Sequence, residues 1–207
     1  GAGRILEQDL VRIANAIYDG RLLEEKSWQT LVQGSRRLHL VGMISDGGVH
    51  SHLEHLLGIL RMLRKTDVGP VLHMITDGRD TAPKAALRYL DVVEQALAKL
   101  GRGMIATVSG RYCAMDRAKH WDRTKRAWDT MVLAQGLTAD SPQEAIESAY
   151  ARGEGDEFIL PTTIVGHGGI AQDEPVLFFN FRSDRARQLA AAFGLGAFKE
   201  FDRGKAG

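Results

Sequence analysis

The chain of 207 residues has a single cysteine, Cys113, which rules out an internal disulfide and any cysteine-based zinc cluster. That suits a reducing compartment, and the cytoplasm is the expected location. No apolar run approaches the roughly 20 residues a membrane helix needs. The N-terminal Gly1-Ala2-Gly3-Arg4 leads straight into an amphipathic pattern, with no signal-peptide core. The chain also opens without methionine, which fits a processed protein and an excised fragment equally. Aromatic residues make up only 7% and no basic tract is present, so a stacking platform for nucleic acid is not expected. Lys and Arg total 27 against 26 Asp and Glu; with no field over the whole molecule, any anion site must be local. H-E-x-x-H, the P-loop, G-x-G-x-x-G and the G-x-S-x-G elbow are all missing.

What is present suffices for one well-filled domain, since 44% of the residues are hydrophobic. Leu6, Leu10, Ile13 and Ile17 share one helix face, with Gly20 as a stop. The apolar run 38–44 reads as a buried strand that ends in Ser45-Asp46-Gly47-Gly48. A helix with a leucine stripe from Leu53 to Leu63 follows, and Ser51 and Glu54 have the spacing of a capping box. The same unit recurs as strand 71–75, turn Asp77-Gly78-Arg79-Asp80 and a helix with Pro83 in its first turn. A third strand at 104–108 runs into Ser109-Gly110-Arg111. Helices are expected at 121–133 and 142–150, the second capped by Ser141 and Glu144, and strands at 158–160, 163–165 and 176–181. Strands that alternate with helices of this length predict a single α/β domain, three-layered α/β/α with a mainly parallel sheet, because parallel neighbours need a crossover helix.

Four of these strands lead directly into polar residues, and in a parallel sheet their carboxyl ends share the edge where ligands of open α/β folds bind. Arg79, Arg111, Arg117, Arg182 and Arg185 should therefore meet in one cleft with His50 and Asp80. Five guanidiniums repel one another unless an anion lies between them, and their forks match phosphate and carboxylate oxygens. The expected ligand is a small polyanion. The plainer alternative is ordinary ion pairing: Arg182 and Arg185 with Asp184, and Arg117 with Asp116 or Asp122. Asp46 with His50, His52 and His55 suggests a divalent metal site of weak specificity, against which stand capping or solvent-facing histidines. Cys113 reads as packing rather than a reactive thiol, and Trp121 and Trp128, seven apart, as core.

Five blocks resemble, in order, the signatures of the cofactor-independent (2,3-bisphosphoglycerate-independent) phosphoglycerate mutases. They are Ser45-Asp46-Gly47-Gly48-Val49-His50-Ser51-His52; Asp77-Gly78-Arg79-Asp80; Ser109-Gly110-Arg111-Tyr112 with Met115-Asp116-Arg117; Trp121-Asp122-Arg123; and Phe178-Phe179-Asn180-Phe181-Arg182 with Asp184-Arg185-Ala186. Gly1-Ala2-Gly3-Arg4-Ile5 is similar to the stretch that follows the family's catalytic segment. The resemblance implies a two-domain enzyme of glycolysis and gluconeogenesis that interconverts 3-phosphoglycerate and 2-phosphoglycerate without a 2,3-bisphosphoglycerate requirement. A phosphatase-like domain would carry two manganese ions and a transiently phosphorylated serine. This chain, 1–207, matches only the inserted substrate-binding domain, with 1–20 and 195–207 near the inter-domain linkers. Its partners would be the phosphoglycerate substrate and the phosphatase-like domain, with no metal or cofactor of its own, no nucleic acid and no membrane.

By the same resemblance His50, Arg79, Asp80, Arg111, Arg117, Arg182 and Arg185 bind substrate, and Asp80 is the candidate general acid or base. The nucleophilic serine, the metal ligands and one substrate lysine have no counterpart, so the chain alone is expected to be inactive. Ser183 stands where proline is common and Cys113 where a second tyrosine is common. A free-standing phosphate or sugar-acid binding module, or a small metal-dependent hydrolase using Asp46, His50 and His52, are the rival readings.

Overall fold

The computed structural model describes residues 8–204, so Leu6 and the opening stretch lie outside the described residues. Helix α1 (Asp9–Tyr18) stops at Gly20, whose φ of 75° is left-handed, and two short helices, α2 (Arg21–Glu24) and α3 (Lys26–Val32), lead into strand β1 (Arg37–Met43). Then come α4 (Leu53–Leu63), β2 (Gly69–Thr76), α5 (Ala86–Leu100), β3 (Met104–Gly110), α6 (Arg111–Ala114) and α7 (Trp121–Leu133). The chain continues through β4 (Leu137–Ala139), α8 (Pro142–Ala151), a 3-10 turn at Asp156–Phe158, β5 (Thr162–Ile164), β6 (Val176–Phe178) and α9 (Ser183–Gly194).

The strands form one sheet in the order β4-β5-β3-β2-β1-β6. β6, β1, β2 and β3 are parallel, whereas β5 runs antiparallel to β3 and carries β4 parallel to itself. Side chains of a strand alternate between faces, and β1 shows what each face meets. Leu38 and Leu40 join the core under α4, α5 and α8, with Leu56, Leu60, Leu90, Val93 and Ile146. Val41 and Met43 join the opposite core under α6, α7 and α9, with Ala114, Trp128, Met131 and Leu189. Two cores on one sheet are the expected α/β/α layering. Gly42 is needed for close approach, because a Cβ there would lie 2.6 Å from the Phe179 ring.

Several local expectations change. Ser51 does not cap α4: its buried hydroxyl donates to the Met43 carbonyl at the end of β1, and His52 is the N-cap, its Nδ1 accepting from the Glu54 N–H at 3.2 Å. Pro83 lies ahead of α5 rather than in its first turn, because the helix starts where Asp156 Oδ2 accepts the N–H groups of Ala85 and Ala86, at 2.8 and 2.9 Å. Residues 158–160 are not a strand; the chain there turns so that the Gly110 N–H reaches the Ile159 carbonyl at 2.7 Å. The Ser141 cap on α8 forms as expected, accepting from the Glu144 N–H at 3.1 Å. Trp128 is core, while Trp121 is half-buried against Phe198.

Candidate anion-binding cleft

The sheet order reverses between β1 and β6, and a crevice opens at such a point beyond the carboxyl ends of parallel strands. The loop after β1 and the loop after β6 are tied together there by the Arg182 N–H, which donates to the His50 carbonyl at 3.2 Å. The loop after β2 is a tight turn organised by one side chain. Asp77 Oδ1 accepts the N–H groups of Arg79 and Asp80 at 3.2 and 3.0 Å, as Asp does when it stands at the head of a turn. Gly78 has φ 69°, and a Cβ on it would lie 2.6 Å from the Glu157 nitrogen, so only glycine fits.

Under this turn lies a buried charge network. Arg111 Nη1 donates to Asp77 Oδ1 and to Asp80 Oδ2, both at 2.6 Å, and Ser45 Oγ donates to Asp77 Oδ2 at 2.8 Å. Burial alone would raise the affinity of the Asp77 carboxylate for a proton. Donation from the Asp80 N–H, Ser45, Arg111 and the Arg79 N–H outweighs it, and the pKa is lowered. Asp77 is 1% exposed and Asp80 18%, so of these two carboxylates only Asp80 can meet a ligand.

The other side of the crevice gathers around Asp184, in the first turn of α9. Arg117 Nη1 donates to its Oδ2 at 2.8 Å, Arg182 Nε stands 3.1 Å from Oδ1, and His50 Nδ1 stands 3.5 Å from the same oxygen. The last two are close enough for charge attraction but not formed hydrogen bonds, and both His50 Nδ1 and Asp184 Oδ1 are buried without a hydrogen-bond partner. His50 has its pKa lowered, first by burial and then by the positive charge of Arg111. Arg185 donates to the Met115 carbonyl at 3.3 Å, and its pKa is lowered by burial and then by Arg117, Arg111 and Arg79. The geometric sign that arginines converge is the pairing of Arg117 and Arg182 with the one Asp184 carboxylate. Arg79 reaches Glu157 only at 3.6 Å and remains exposed.

All seven expected residues therefore lie around one crevice, although Arg111 is buried between two carboxylates and does not face it freely. The ion-pairing alternative holds for Arg182, which meets Asp184 as expected, but not for Arg185, which donates to the Met115 carbonyl; Arg117 pairs with Asp184 instead of Asp116, which is taken by the backbone N–H groups of Ala118 and His120 and by Gln188. Asp46, His50 and His52 do not assemble: Asp46 binds Arg88 and the Tyr89 hydroxyl, and His52 caps α4. Among the described residues no group of three or more His, Cys, Asp and Glu could hold a metal ion. His55 is buried, with Nε2 at 3.0 Å from the Leu10 carbonyl. Burial raises the Cys113 thiol pKa, as suits a packing residue. Asp77 and Glu157 were missed as site residues; the Asp-Gly turn signalled the first, while the second is far in sequence from its partner Arg79 and left no local signal.

Fold and crevice define an open α/β domain with a cationic cleft, trimmed by carboxylates, at the point where strand order reverses. Residues 13–207 match the family model described as BPG-independent PGAM N-terminus, and the chain belongs to that family. It is 46% identical, across all of its length and 42% of the relative's, to the 2,3-bisphosphoglycerate-independent phosphoglycerate mutase of Desulforudis audaxviator. It is 49% identical to that of Symbiobacterium thermophilum, over 98% of the chain and 40% of the relative. A crystal structure of Leishmania mexicana phosphoglycerate mutase, at low cobalt concentration, superposes with a TM-score of 0.91 at 31% identity, over 98% of this chain and 40% of that one. The chain thus spans about two fifths of the length of these relatives.

Proposed function

We propose that the chain is the substrate-holding domain of a 2,3-bisphosphoglycerate-independent phosphoglycerate mutase and retains glycerate while a phosphoryl group moves between its 3- and 2-hydroxyls. The serine that carries the phosphoryl group and the manganese ions belong, on this reading, to the part of the polypeptide that the relatives possess and this chain does not span. The described residues offer no cradle for a metal, so no step here runs through one. The observation that carries the proposal is the meeting of Arg117 and Arg182 on Asp184, with Arg79 and Arg185 on the same side, drawn from three segments to one sheet edge in a chain of this family.

Arg79, Arg117 and Arg182, all at least half exposed, clamp the carboxylate and phosphate with Arg185. This is positioning and electrostatic work, which phosphoryl transfer chiefly requires. Arg111 acts from behind, fixing Asp80, and Asp80 handles the proton of the hydroxyl that gives or receives the phosphoryl group. His50, kept neutral by burial, donates to the anion. Calorimetry of the chain with 3-phosphoglycerate tests the reading. Binding is expected to be weak and to fade as salt rises, since one side of the cleft is open to screening water, and the chain alone should show no mutase turnover. Tight, salt-independent binding, or turnover by the purified chain, would contradict it.

A further inference from the structure

We propose that Asp184 is the cleft's own counter-anion: its carboxylate stands where an anionic group of the ligand will sit, and the ligand displaces it. The inference rests on the proposed function and deepens it by naming the group with which the substrate competes. Three of the ligand-binding side chains address this one carboxylate from three separate segments: His50 after β1, Arg117 after α6 and Arg182 after β6.

The quality of these contacts shows that they are exchangeable. Asp77 is 1% exposed and takes four donors, from Ser45, Arg79, Asp80 and Arg111, so it is a fixed part of the frame. Asp184 is 32% exposed, has one well-formed bond, to Arg117, and leaves its buried Oδ1 and the buried Nδ1 of His50 unpartnered. An unpartnered buried polar atom is costly. A phosphate or carboxylate placed among Arg117, Arg182 and His50 would satisfy all three donors, and Asp184, at the edge of α9, can turn to water.

Charge matching points the same way. Arg111 is matched by Asp77 and Asp80, Arg79 by Glu157, and Arg117 and Arg182 by Asp184, whereas Arg185 has a backbone carbonyl as its hydrogen-bond partner. The charges lining the cleft are close to balanced, so an incoming anion gains only the difference between its own contacts and those it replaces. Asp184 therefore weakens ligand binding while it keeps the arginines from splaying apart, which favours release of a ligand that must be let go in each turnover.

The test is titration of the chain and its Asp184→Asn variant with 3-phosphoglycerate at two salt concentrations. The variant should bind about threefold to tenfold more tightly, the scale of losing one or two exposed ion pairs as competitors, and its affinity should fall more steeply with salt. Binding by the variant where the native chain is silent supports the inference as well. If the native chain binds and Asp184→Asn binds equally or more weakly, Asp184 is a positioning residue, and the inference fails while the proposed function stands. If neither binds, both fall. Should the variant misfold, the native chain still decides: saturation with 3-phosphoglycerate must shift the Arg117 and Arg182 side-chain NMR signals as they leave the carboxylate, and unmoved signals overturn the inference.

Discussion

Asp77 and Asp80 share one guanidinium nitrogen, yet their surroundings divide their roles. Asp77 is sealed beneath the turn by four donors, while Asp80 keeps an open side toward the crevice. On the proposed function the base needs reach to the ligand as well as charge, and of these two carboxylates only Asp80 has both. In the full-length enzyme Asp80→Asn, which preserves size but cannot accept the proton, should lower turnover by about 100-fold or more with little change in KM. Arg182→Ala should do the opposite, raising KM strongly, because a charge-assisted bond to the substrate is lost in ground and transition states alike. Steady-state kinetics on both variants, with circular dichroism as a control for folding, distinguish the two patterns. Near-normal turnover in Asp80→Asn would leave Asp80 as a structural partner of Arg111.

At the scale of elements, the start of α5 depends on a residue that lies far away in sequence. Asp156 is buried, accepts from the N–H groups of Ala85 and Ala86 and from the Tyr150 hydroxyl at 2.5 Å, and its own carbonyl accepts from Thr76 Oγ1 at 2.6 Å. Asp156→Ala removes a helix cap and leaves three donors, one buried and two half-buried, without an acceptor, which should cost about 2–4 kcal/mol in denaturant unfolding. Asp156→Asn should cost less, and a change under about 0.5 kcal/mol for Ala would mean that water replaces the cap. The same residue explains where the sequence was legible. Capping between close neighbours, as at Ser141 and Glu144, can be read directly, but a cap supplied from 70 residues away cannot, so Pro83 was placed inside the helix. Likewise Ser51 has a capping residue's chemistry, but the open carbonyl of Met43 at the strand end takes its hydroxyl. Long apolar strands and periodic helices were readable, as were the polar loops at their ends. The pairing of Arg182 with its neighbour Asp184 was readable too, but Arg111 with Asp77 and Arg117 with Asp184 were not, being 34 and 67 residues apart.

Across the whole molecule, burial favours the neutral form of most histidines. Five of the seven, His39, His50, His55, His73 and His167, have lowered pKa values, with burial the first cause in each. The geometry of one chain through the sheet accommodates neutral rings. Glu174 can only accept, so His39 Nε2 must carry hydrogen at 3.1 Å. With both rings neutral, His39 Nδ1 accepts from His73 Nε2 at 2.9 Å, and His73 Nδ1 accepts from the Thr107 hydroxyl at 3.0 Å. A second proton on both rings would set two donors against each other between His39 and His73, and burial, with His167 and Arg37 nearby, disfavours one on either. A histidine whose folded pKa lies below the unfolded 6.5 binds fewer protons folded than unfolded. Its stabilising contribution is complete above about pH 6.5 and is lost as pH falls toward the folded value, at up to about 1.4 kcal/mol per pH unit for each such group. Glu174, whose pKa is lowered below 4.5 because donors from Ala171, Arg37 and His39 outweigh burial, starts to lose its own contribution only below that value. Between pH 7.5 and 5.5 the histidines should therefore dominate, and urea unfolding should show a loss of roughly 2 kcal/mol or more. His73→Gln should be less stable at pH 7.5 yet show a flatter slope, because one group that must stay neutral is gone. A native stability that is level across this range would mean that the sheet admits the extra proton, and with it that the His39–His73 chain is not held in a single tautomeric arrangement.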